Sequence, residues 1–377
     1  MLDGVVIDNK IMEKDKKRIA DLSISAVILN YNGGQNVLKC VQALYQQEVL
    51  LDQVILVDNG STDNSAQIVK ERYPDIELIL TNENLGIAKG RNVGLERAKT
   101  DLVLLLDDDI YVQTDTIKNL ALSLRQNKAA VVCPRILLYP QTDIVQCDGA
   151  NPHFIGNLKL SNGWTAEASL TQISSQVGGC IGACMLFDRR IIQSLGNFND
   201  EFFFYFEDLE FSLRVRAMGH IFVCEPNARV LHERGSGTPE IAFRGQGSYP
   251  PLRAFYNIRH RWLTILLVYR LKTIILLVPV FLLFEIGTII FVLKNGWINQ
   301  WVRAILSLTR ILNKVKPNRE MIQKNRVVGD GALLFGGDLE FAPGVINSSL
   351  QAKVISIYSK TSNSYWKFLL HSFLYNG

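Results

Sequence analysis

The sequence is poor in cysteine and lacks the cysteine spacings that bind zinc or support redox chemistry. Its 377 residues include six cysteines, and no two of them form a CxxC pair. They are Cys40, Cys133, Cys147, Cys180, Cys184 and Cys224. Most lie within apolar runs, which predicts buried free thiols in a protein that stays in a reducing compartment.

An apolar run is also missing from the N-terminus. Residues 1–23 contain a basic cluster, but no hydrophobic stretch follows it. This pattern does not fit a secretory signal peptide. We therefore predict that residues 1–23 are an N-terminal extension and that the body of the protein stays in the cytoplasm.

Two common nucleotide-binding motifs are absent as well. No GxxxxGK[ST] sequence occurs, which argues against a P-loop NTPase. The glycines Gly86, Gly90 and Gly94 are four residues apart, so they do not form GxGxxG. They also follow a polar loop rather than a first strand, which argues against a dinucleotide-binding fingerprint.

The chain has little net charge, but its charges are unevenly distributed. Lys and Arg total 40 against 36 Asp and Glu, giving +4, which is too mild to indicate a nucleic-acid partner. Residues 251–326 alone carry 13 basic and 2 acidic residues, so the rest of the chain is acidic. With 48% hydrophobic and 20% charged residues, the chain is expected to bury a core.

Short apolar runs alternate with segments of helical periodicity over the first 133 residues. The predicted strands are residues 26–30, 54–57, 76–80, 102–106 and 130–133, and the predicted helices are residues 36–47, 65–72, 88–99 and 114–127. This alternation predicts a parallel sheet with helices on both faces.

Polar clusters follow three of these predicted strands, namely Asn30–Asn32, Asp58–Asp63 and Asp107–Asp109. Ligands of such sheets bind beyond the carboxyl ends of the strands, so we expect one site here. Asp58 alone also fits a turn or helix cap. Three adjacent carboxylates cost energy unless a cation compensates them, which favours Mg²⁺ or Mn²⁺; a solvated acidic turn is the alternative.

Seven motifs in this order resemble the inverting family 2 glycosyltransferases, which have the GT-A fold. They cover roughly residues 24–240 and read VILNYNGG, ILVDNGSTDNS, NENLGIAKGRNVGL, LVLLLDDDI, GGCIGACMLFDRR, FFFYFEDLEFSLRVRAMGH and LHERGSGT. The set is most similar to rhamnosyltransferase-like enzymes of bacterial surface-polysaccharide assembly. The resemblance implies an α/β catalytic domain over residues 24–250, with a Rossmann-like, mostly parallel sheet and helices on both faces.

The resemblance also implies donor and metal contacts. The implied donor- and nucleotide-binding residues are Asn30, Tyr31, Asp58, Asn84, Lys89, Arg91 and Asp107. Asp107 and Asp109 are the outer positions of a DxD motif, with Asp109 as a direct Mg²⁺ or Mn²⁺ ligand and Asp107 reaching ribose or metal through water. His232 is implied as a further metal ligand, although a lone histidine also fits a structural role.

The implied catalytic base is Asp208, and Glu207 is implied to orient the acceptor or brace the loop. Chemistry alone also explains both as carboxylates that stabilise a helix N-terminus. Glu210 stands where many relatives carry aspartate, and Arg214 lies one turn away, at pairing distance. The aromatic residues 202–206 fit either the core or a surface that stacks on an acceptor sugar.

The implied reaction moves a sugar from a nucleotide-sugar donor to a hydroxyl of a saccharide or lipid-linked saccharide acceptor. A divalent cation neutralises the nucleoside diphosphate leaving group, and the base accepts the proton of the attacking hydroxyl. The alternative is a non-catalytic homologue that binds nucleotide sugar or acts as a scaffold in glycan assembly. Intact Asp107, Asp109 and Asp208 favour the enzyme.

An apolar segment, residues 273–293, is long enough to cross a hydrocarbon core of about 30 Å at about 1.5 Å per residue. A predicted helix over residues 298–312 has one apolar face, which suits the membrane surface. Both flanks of the apolar segment are basic, so a single span would leave one basic flank outside. The pattern favours a re-entrant or interfacial hairpin over a single span or a soluble helix pair.

These features predict attachment to the cytoplasmic face of the cell membrane through residues 262–312, within a membrane-associated segment 251–326. The basic flanks are expected to meet anionic lipid headgroups or the diphosphate of a lipid-linked acceptor. They comprise Arg253, Arg259, Arg261, Arg270, Lys272, Lys294, Arg303, Arg310, Lys314 and Lys316. Residues 327–377 form a tail without an interpretable motif.

Overall fold

A computed structural model describes residues 22–233, 250–339 and 348–374. Most of the N-terminal extension and the last five residues of LHERGSGT therefore lie outside the described residues. The chain divides into two compact units. The sheet unit comprises the described parts of Met1–Gly149, Asn162–Phe198 and Ile221–Gly237, and the helical unit comprises those of Ala150–Ser161, Asn199–His220 and Thr238–Gly377.

The sheet unit is built on strands that begin with a fully buried run, β1. Its strands are β1 (Ile24–Asn30), β2 (Gln53–Asp58), β3 (Glu77–Leu80), β4 (Leu102–Asp107), β5 (Ile110–Val112), β6 (Val131–Leu138) and β7 (Ile144–Cys147), then, after β8 (Ala150–His153) and β9 (Asn157–Leu160) of the helical unit, β10 (Thr165–Ala166), β11 (Ser175–Val177), β12 (Cys184–Asp188) and β13 (Phe222–His232). Each predicted strand of the first 133 residues is confirmed within a few residues.

Strand directions in this sheet are mixed. The order is β10-β7-β6-β12-β4-β1-β2-β3, with β13 beside β6, β5 and β11. Strands β4, β1, β2 and β3 are parallel neighbours. The motif GGCIGACMLFDRR contributes β12, which runs antiparallel between β4 and β6. Because of this insertion, the parallel arrangement is limited to one half of the sheet and the β6–β13 pair.

The sheet unit contains the four helices that periodicity predicted, which bury apolar residues, and a short fifth helix that was not predicted. They are α1 (Gln35–Leu44), α2 (Ser65–Arg72), α3 (Ile87–Arg97), α4 (Thr116–Gln126) and α5 (Arg189–Ser194). Helix α3 lies very close to the sheet at Gly94, where a Cβ atom would overlap Val27 and crowd Val57. The six cysteines are free and buried, as the apolar runs predicted.

The helical unit contains the antiparallel strand pair β8–β9 and the C-terminal helices. The helices are α6 (Glu207–Ala217), α7 (Pro251–Val268), α8 (Leu271–Lys294), α9 (Ile298–Asn325), α10 (Asp330–Leu333) and α11 (Ser349–Leu369). Helices α7, α8 and α9 meet in an apolar cluster centred on Ile258, Val292 and Ala304. The tail that lacked a sequence motif therefore contributes α11, which was not predicted.

Helix α8 contains the predicted apolar segment and has contacts along most of its length. Trp262 of α7 packs edge-to-face against Phe281, with ring centroids 5.5 Å apart. Tyr365 and Tyr358 of α11 donate hydrogen bonds to backbone carbonyls of α8, at Leu276 and Val280. By length and composition α8 is the one described helix that could cross a membrane.

The prediction that the basic residues before α8 all face lipid is wrong for Arg259 and Arg261. Both are buried, with exposed fractions of 9% and 4%. Arg259 pairs with Glu201 at 3.1 Å, and Arg261 pairs with Glu285 at 2.7 Å. A buried guanidinium needs such a partner, because desolvating an unpaired charge is costly. These two arginines are therefore part of the core of the helical unit.

Candidate active site

The three polar clusters predicted at strand ends lie on adjacent strands of the sheet unit. In the parallel register, Asn30 at the end of β1 stands beside Asp58 at the end of β2. Leu29 of β1 stands beside Asp107 at the end of β4. The expectation that one edge of the sheet collects these side chains is confirmed, because parallel neighbours end at the same edge.

Asp58 is buried and held by short hydrogen bonds on one carboxylate oxygen. Asn30 donates to Oδ1 at 2.8 Å and Ser61 donates at 2.5 Å. The Asn30 amide also donates to Ser65 at 3.1 Å. Among the described residues none hydrogen-bonds Asp58 Oδ2, so that oxygen is the one placed to accept from a ligand. Oδ1 of Asp58 therefore makes the contacts within the turn, and Oδ2 is the oxygen that the ligand interpretation requires.

The middle aspartate of the DDD triplet turns towards the loop after β1. Asp108 Oδ2 accepts a hydrogen bond from the Tyr31 backbone N–H at 3.1 Å. A Cβ atom at Gly33 would overlap both Asn30 Oδ1 and Asp108 Oδ2. Asp108 thus fixes the loop that contains Tyr31, and a larger residue at 33 would displace the side chains of Asn30 and Asp108.

Asp107 is braced by an arginine from α3. Arg91 donates to Asp107 Oδ1 at 2.7 Å and to the Gly182 carbonyl at 2.8 Å, and it is 1% exposed. The Asp107 side chain remains 30% exposed. Its surroundings nevertheless raise its pKa through desolvation, which outweighs the opposing effect of Arg91; the neighbouring Asp109 raises it further.

Asp109 lies next to His232, as a shared metal site requires. Asp109 Oδ1 is 3.4 Å from His232 Nε2, and both side chains are largely buried. Gln146 Oε1 is 2.8 Å from His232 Nδ1, which leaves Nε2 directed to Asp109. A carboxylate and an imidazole are suitable donors for a divalent cation. Among the described residues no group of three His, Cys, Asp or Glu side chains is arranged to hold a metal unaided.

The implied donor loop precedes and begins α3. Asn84 Oδ1 accepts from the Gly86 backbone N–H at 2.9 Å and from the Asn59 amide at 3.1 Å. Asn59 also accepts from the Leu85 backbone N–H at 3.0 Å. Lys89 projects from α3 as an exposed side chain. Arg91 is one of the implied donor-binding residues, but its guanidinium is buried against Asp107.

The helical unit places the ED motif at the first turn of α6. Asp208 is half-buried and its Oδ1 accepts from the Leu209 backbone N–H at 2.8 Å. Glu207 is 5% exposed. Glu210 forms a two-point ion pair with Arg214, at 2.7 and 3.0 Å, as their spacing predicted. Glu210 is therefore occupied by a structural role, and Asp208 is the carboxylate of this turn with the greater exposure.

Sequence reasoning did not identify Gln146, and it included Asn59 only as part of the polar cluster Asp58–Asp63. Each acts through another residue, Gln146 by orienting His232 and Asn59 by connecting the end of β2 to the Asn84 loop. Asn59 follows Asp58 directly in that cluster, but its position in the sequence does not show that it bonds to the Asn84 loop. Gln146 lies on a short strand 86 residues before His232, so no local pattern connects the two.

Comparison with known proteins identifies the sheet unit. The family described as glycosyl transferase family 2 matches residues 25–196. Residues 25–196 therefore form a glycosyltransferase family 2 domain. The matched range contains the clusters at Asn30, Asp58 and Asp107–Asp109, and it ends before the ED motif of the glycosyltransferase.

Two curated relatives of this glycosyltransferase are rhamnosyltransferases by name. It is 26% identical over 237 residues to the N-acetylglucosaminyl-diphospho-decaprenol L-rhamnosyltransferase of Mycobacterium tuberculosis, covering 57% of this chain and 77% of that protein. It is 24% identical over 250 residues to the dTDP-rhamnosyl transferase RfbF of Shigella flexneri, covering 64% and 79%. The expected similarity to rhamnosyltransferase-like enzymes is thereby confirmed.

Solved structures share the fold of the glycosyltransferase at low identity. Staphylococcus aureus TarS 1–349 in complex with UDP-GlcNAc aligns with a TM-score of 0.50 and 16% identity, covering 93% of this chain and 91% of that one. GalNAc-T7 with UDP, GalNAc and Mn²⁺ aligns with a TM-score of 0.54 and 16% identity, covering 67% of this chain and 49% of that one. The GT-A fold is therefore confirmed.

Proposed function

We propose that this glycosyltransferase is a metal-dependent, inverting enzyme of cell-surface glycan synthesis. It transfers a sugar from a nucleotide-sugar donor to a hydroxyl of a saccharide or lipid-linked saccharide. The sugar that we propose is a rhamnosyl group. The observation that carries this proposal is the pairing of Asp109 with His232 at the end of the strand that also presents Asp107. The names of the two rhamnosyltransferase relatives support the donor class.

The donor is held by residues of the sheet unit in this proposal. Asp58 Oδ2 accepts a hydrogen bond from the base, and the loop around Tyr31 and Asn84 lines the nucleotide. The exposed Lys89 interacts with the diphosphate. Asp107, fixed by Arg91, presents its outer oxygen to the ribose or to a metal-bound water.

Asp109 and His232 would hold the divalent cation, and the diphosphate would complete its ligands because the described side chains do not suffice alone. The imidazole favours Mn²⁺ over Mg²⁺, since Mg²⁺ prefers oxygen ligands. When bound, the cation neutralises charge on the departing nucleoside diphosphate. Gln146 accepts the His232 Nδ1–H and so keeps Nε2 available for the cation.

Asp208 acts as the general base. Its carboxylate takes the proton of the acceptor hydroxyl while the hydroxyl oxygen bonds to the anomeric carbon and the bond from that carbon to the nucleoside diphosphate breaks. Attack opposite the leaving group inverts the anomeric configuration. Glu207 orients the acceptor or braces the turn.

Helix α8 and its neighbours attach the enzyme to the cytoplasmic face of the membrane in this proposal. One side of α8 contacts α7 and α11, and the other exposes apolar side chains: Leu271, Ile275, Val278, Leu282, Leu283, Ile286, Ile290 and Leu293. Exposed apolar surface of this extent is typical of a membrane or protein contact. Contacts along the length of α8 favour an interfacial hairpin over a span, and α11 adds Val354 and Ile357.

The test is a screen of nucleotide sugars for transfer and hydrolysis, with and without Mn²⁺, using the wild type and Asp208→Asn. We expect turnover with a deoxyhexosyl donor that depends on Mn²⁺. Asp208→Asn should lose about 10²–10⁴-fold in transfer rate while it binds the nucleotide as tightly as the wild type. Glu320→Gln, an exposed carboxylate of α9, is the control. Normal turnover by Asp208→Asn would remove the base assignment, and nucleotide binding without turnover by the wild type would support the scaffold alternative.

A further inference from the structure

The turn that leads into α6 has an unusual backbone. Tyr205 and Phe206 have φ angles of 64° and 69°, in the left-handed region. Large aromatic residues rarely adopt this region, because their Cβ atom approaches the backbone too closely. Phe206 directly precedes Glu207 and occupies the N-cap position of α6, where no side chain caps the helix. Interactions from elsewhere must therefore hold these two residues in place.

His260 of α7 supplies one such interaction. Its Nδ1 is 2.9 Å from the Phe204 carbonyl oxygen and 2.9 Å from the Tyr205 carbonyl oxygen. Arg259 Nη1 lies 2.7 Å from His260 Nε2. Arginine can only donate, so Nε2 is the acceptor and Nδ1 carries the hydrogen that it donates to the two carbonyls. This ring nitrogen therefore bonds to the carbonyls of two consecutive peptide units, which lie on either side of the Tyr205 Cα atom.

The protonation state of His260 suits this arrangement. The side chain is fully buried, and burial together with the adjacent Arg259 lowers its pKa to about 3. The ring is therefore neutral at physiological pH, and it accepts from Arg259 and donates to the turn at the same time.

The start of the same segment is tied to α7 and α9. Arg259 donates to the Glu201 carbonyl at 2.6 Å and to the Glu201 carboxylate at 3.1 Å. Lys314 of α9 also pairs with that carboxylate. Between the two anchors, Phe203 stacks on Tyr256 of α7 with ring centroids 5.4 Å apart. Residues 201–205 are thus bound to α7 at both ends and in the middle.

We propose that His260 is a positioning residue for Asp208, acting through the turn 204–206. Its Nδ1–H binds the carbonyls of Phe204 and Tyr205, the two peptide units on either side of the left-handed Tyr205. The turn fixed in this way sets the direction in which α6 begins and its first-turn carboxylates point. This role rests on the proposed function of Asp208. His260 lies in the segment 251–326, for which the sequence predicted membrane attachment, and the proposal assigns it a positioning role instead.

A histidine that merely fills space would need volume at this position but no hydrogen-bond donor. Three variants separate these roles. His260→Asn keeps an amide N–H close to the place of Nδ1–H, His260→Gln moves the donor by one bond, and His260→Leu removes it. Tyr269→Phe is the matched control, because it deletes another buried hydrogen bond of the same helical unit, from Tyr269 to the His153 carbonyl.

The experiment measures kcat and donor KM for transfer by the full-length protein, nucleotide affinity by calorimetry, and Tm. We expect His260→Leu to lose about 10- to 100-fold in kcat, with donor KM and nucleotide affinity unchanged, and His260→Asn to recover most of the loss. His260→Gln should fall between them, and this comparison decides the question if His260→Leu does not fold. Tyr269→Phe should lower Tm but leave kcat within twofold.

Two results would overturn the proposal. One is a kcat for His260→Leu that falls no further than that of Tyr269→Phe. The other is a kcat for His260→Asn no higher than that of His260→Gln or His260→Leu. Asp208→Asn is measured in parallel to separate the two assignments. If it retains turnover, the base assignment fails; if it is inactive while His260→Leu turns over normally, only the positioning role fails.

Discussion

The Arg91–Asp107 pair of the sheet unit and the Arg326–Asp330 pair of the helical unit both bury an arginine, but they differ in the exposure of the carboxylate. In the sheet unit, Arg91 is buried while its partner Asp107 is 30% exposed and remains available to a ligand. In the helical unit, the side chains of Arg326 and Asp330 are 2% and 1% exposed. The first pair presents a carboxylate, and the second holds helices α9 and α10 together. A buried ion pair can thus serve a site or the core, and partner exposure indicates which.

The largest expected effect is a difference in the free energy of unfolding when the carboxylate of each pair is removed. Asp330→Ala leaves Arg326 buried without its carboxylate, so we expect the free energy of unfolding to fall by about 3–5 kcal/mol. Asp107→Ala should cost less, because Arg91 keeps the Gly182 carbonyl and its partner was already partly solvated. Urea unfolding of both variants measures the difference. Equal losses would contradict the distinction drawn from exposure.

The second prediction concerns the proposed metal ligand His232 of the sheet unit. Gln146→Ala removes the acceptor that orients His232, so Mn²⁺ affinity should fall by about 10-fold or more, as is typical for outer-shell partners. Mn²⁺ titration by electron paramagnetic resonance, in the presence of nucleoside diphosphate, measures it. Gln141→Ala, a change on an exposed turn of the same unit, is the control. Unaltered Mn²⁺ affinity would show that Gln146 does not support the metal site.

The smallest expected effect tests the exposed apolar face of the helical unit. The triple variant Leu282→Gln, Ile286→Gln, Ile290→Gln should bind anionic vesicles several-fold more weakly, because each change removes exposed apolar area. A matched triple on the sheet unit, Leu50→Gln, Leu80→Gln, Ile173→Gln, alters residues that are also exposed and should bind as the wild type does. Co-sedimentation with vesicles measures both. Similar binding by the two triples would argue against α8 as the membrane contact.

How much the sequence predicts differs between the two units for a physical reason. The strands ending at Asn30, Asp58 and Asp107 combine an apolar run with an adjacent polar cluster, so local pattern identifies them. The arginines of α7 have no such local signature. Arg259 pairs with a glutamate 58 residues away and Arg261 with one 24 residues away, so only tertiary structure shows that they are core residues. Gln146 was not predicted for the same reason, because it lies 86 residues before His232.

The contacts of helix α7 limit the insertions and deletions that it can tolerate. Consecutive residues of this helix serve opposite purposes: Arg259 and His260 hold the turn before Asp208, while Arg261 and Trp262 contact Glu285 of α8. One residue added before Arg259 would rotate everything after it by about 100° around the helix axis. Both sets of partners would be lost at once. Substitutions can disrupt either set of contacts separately, but a change of length in α7 disturbs both.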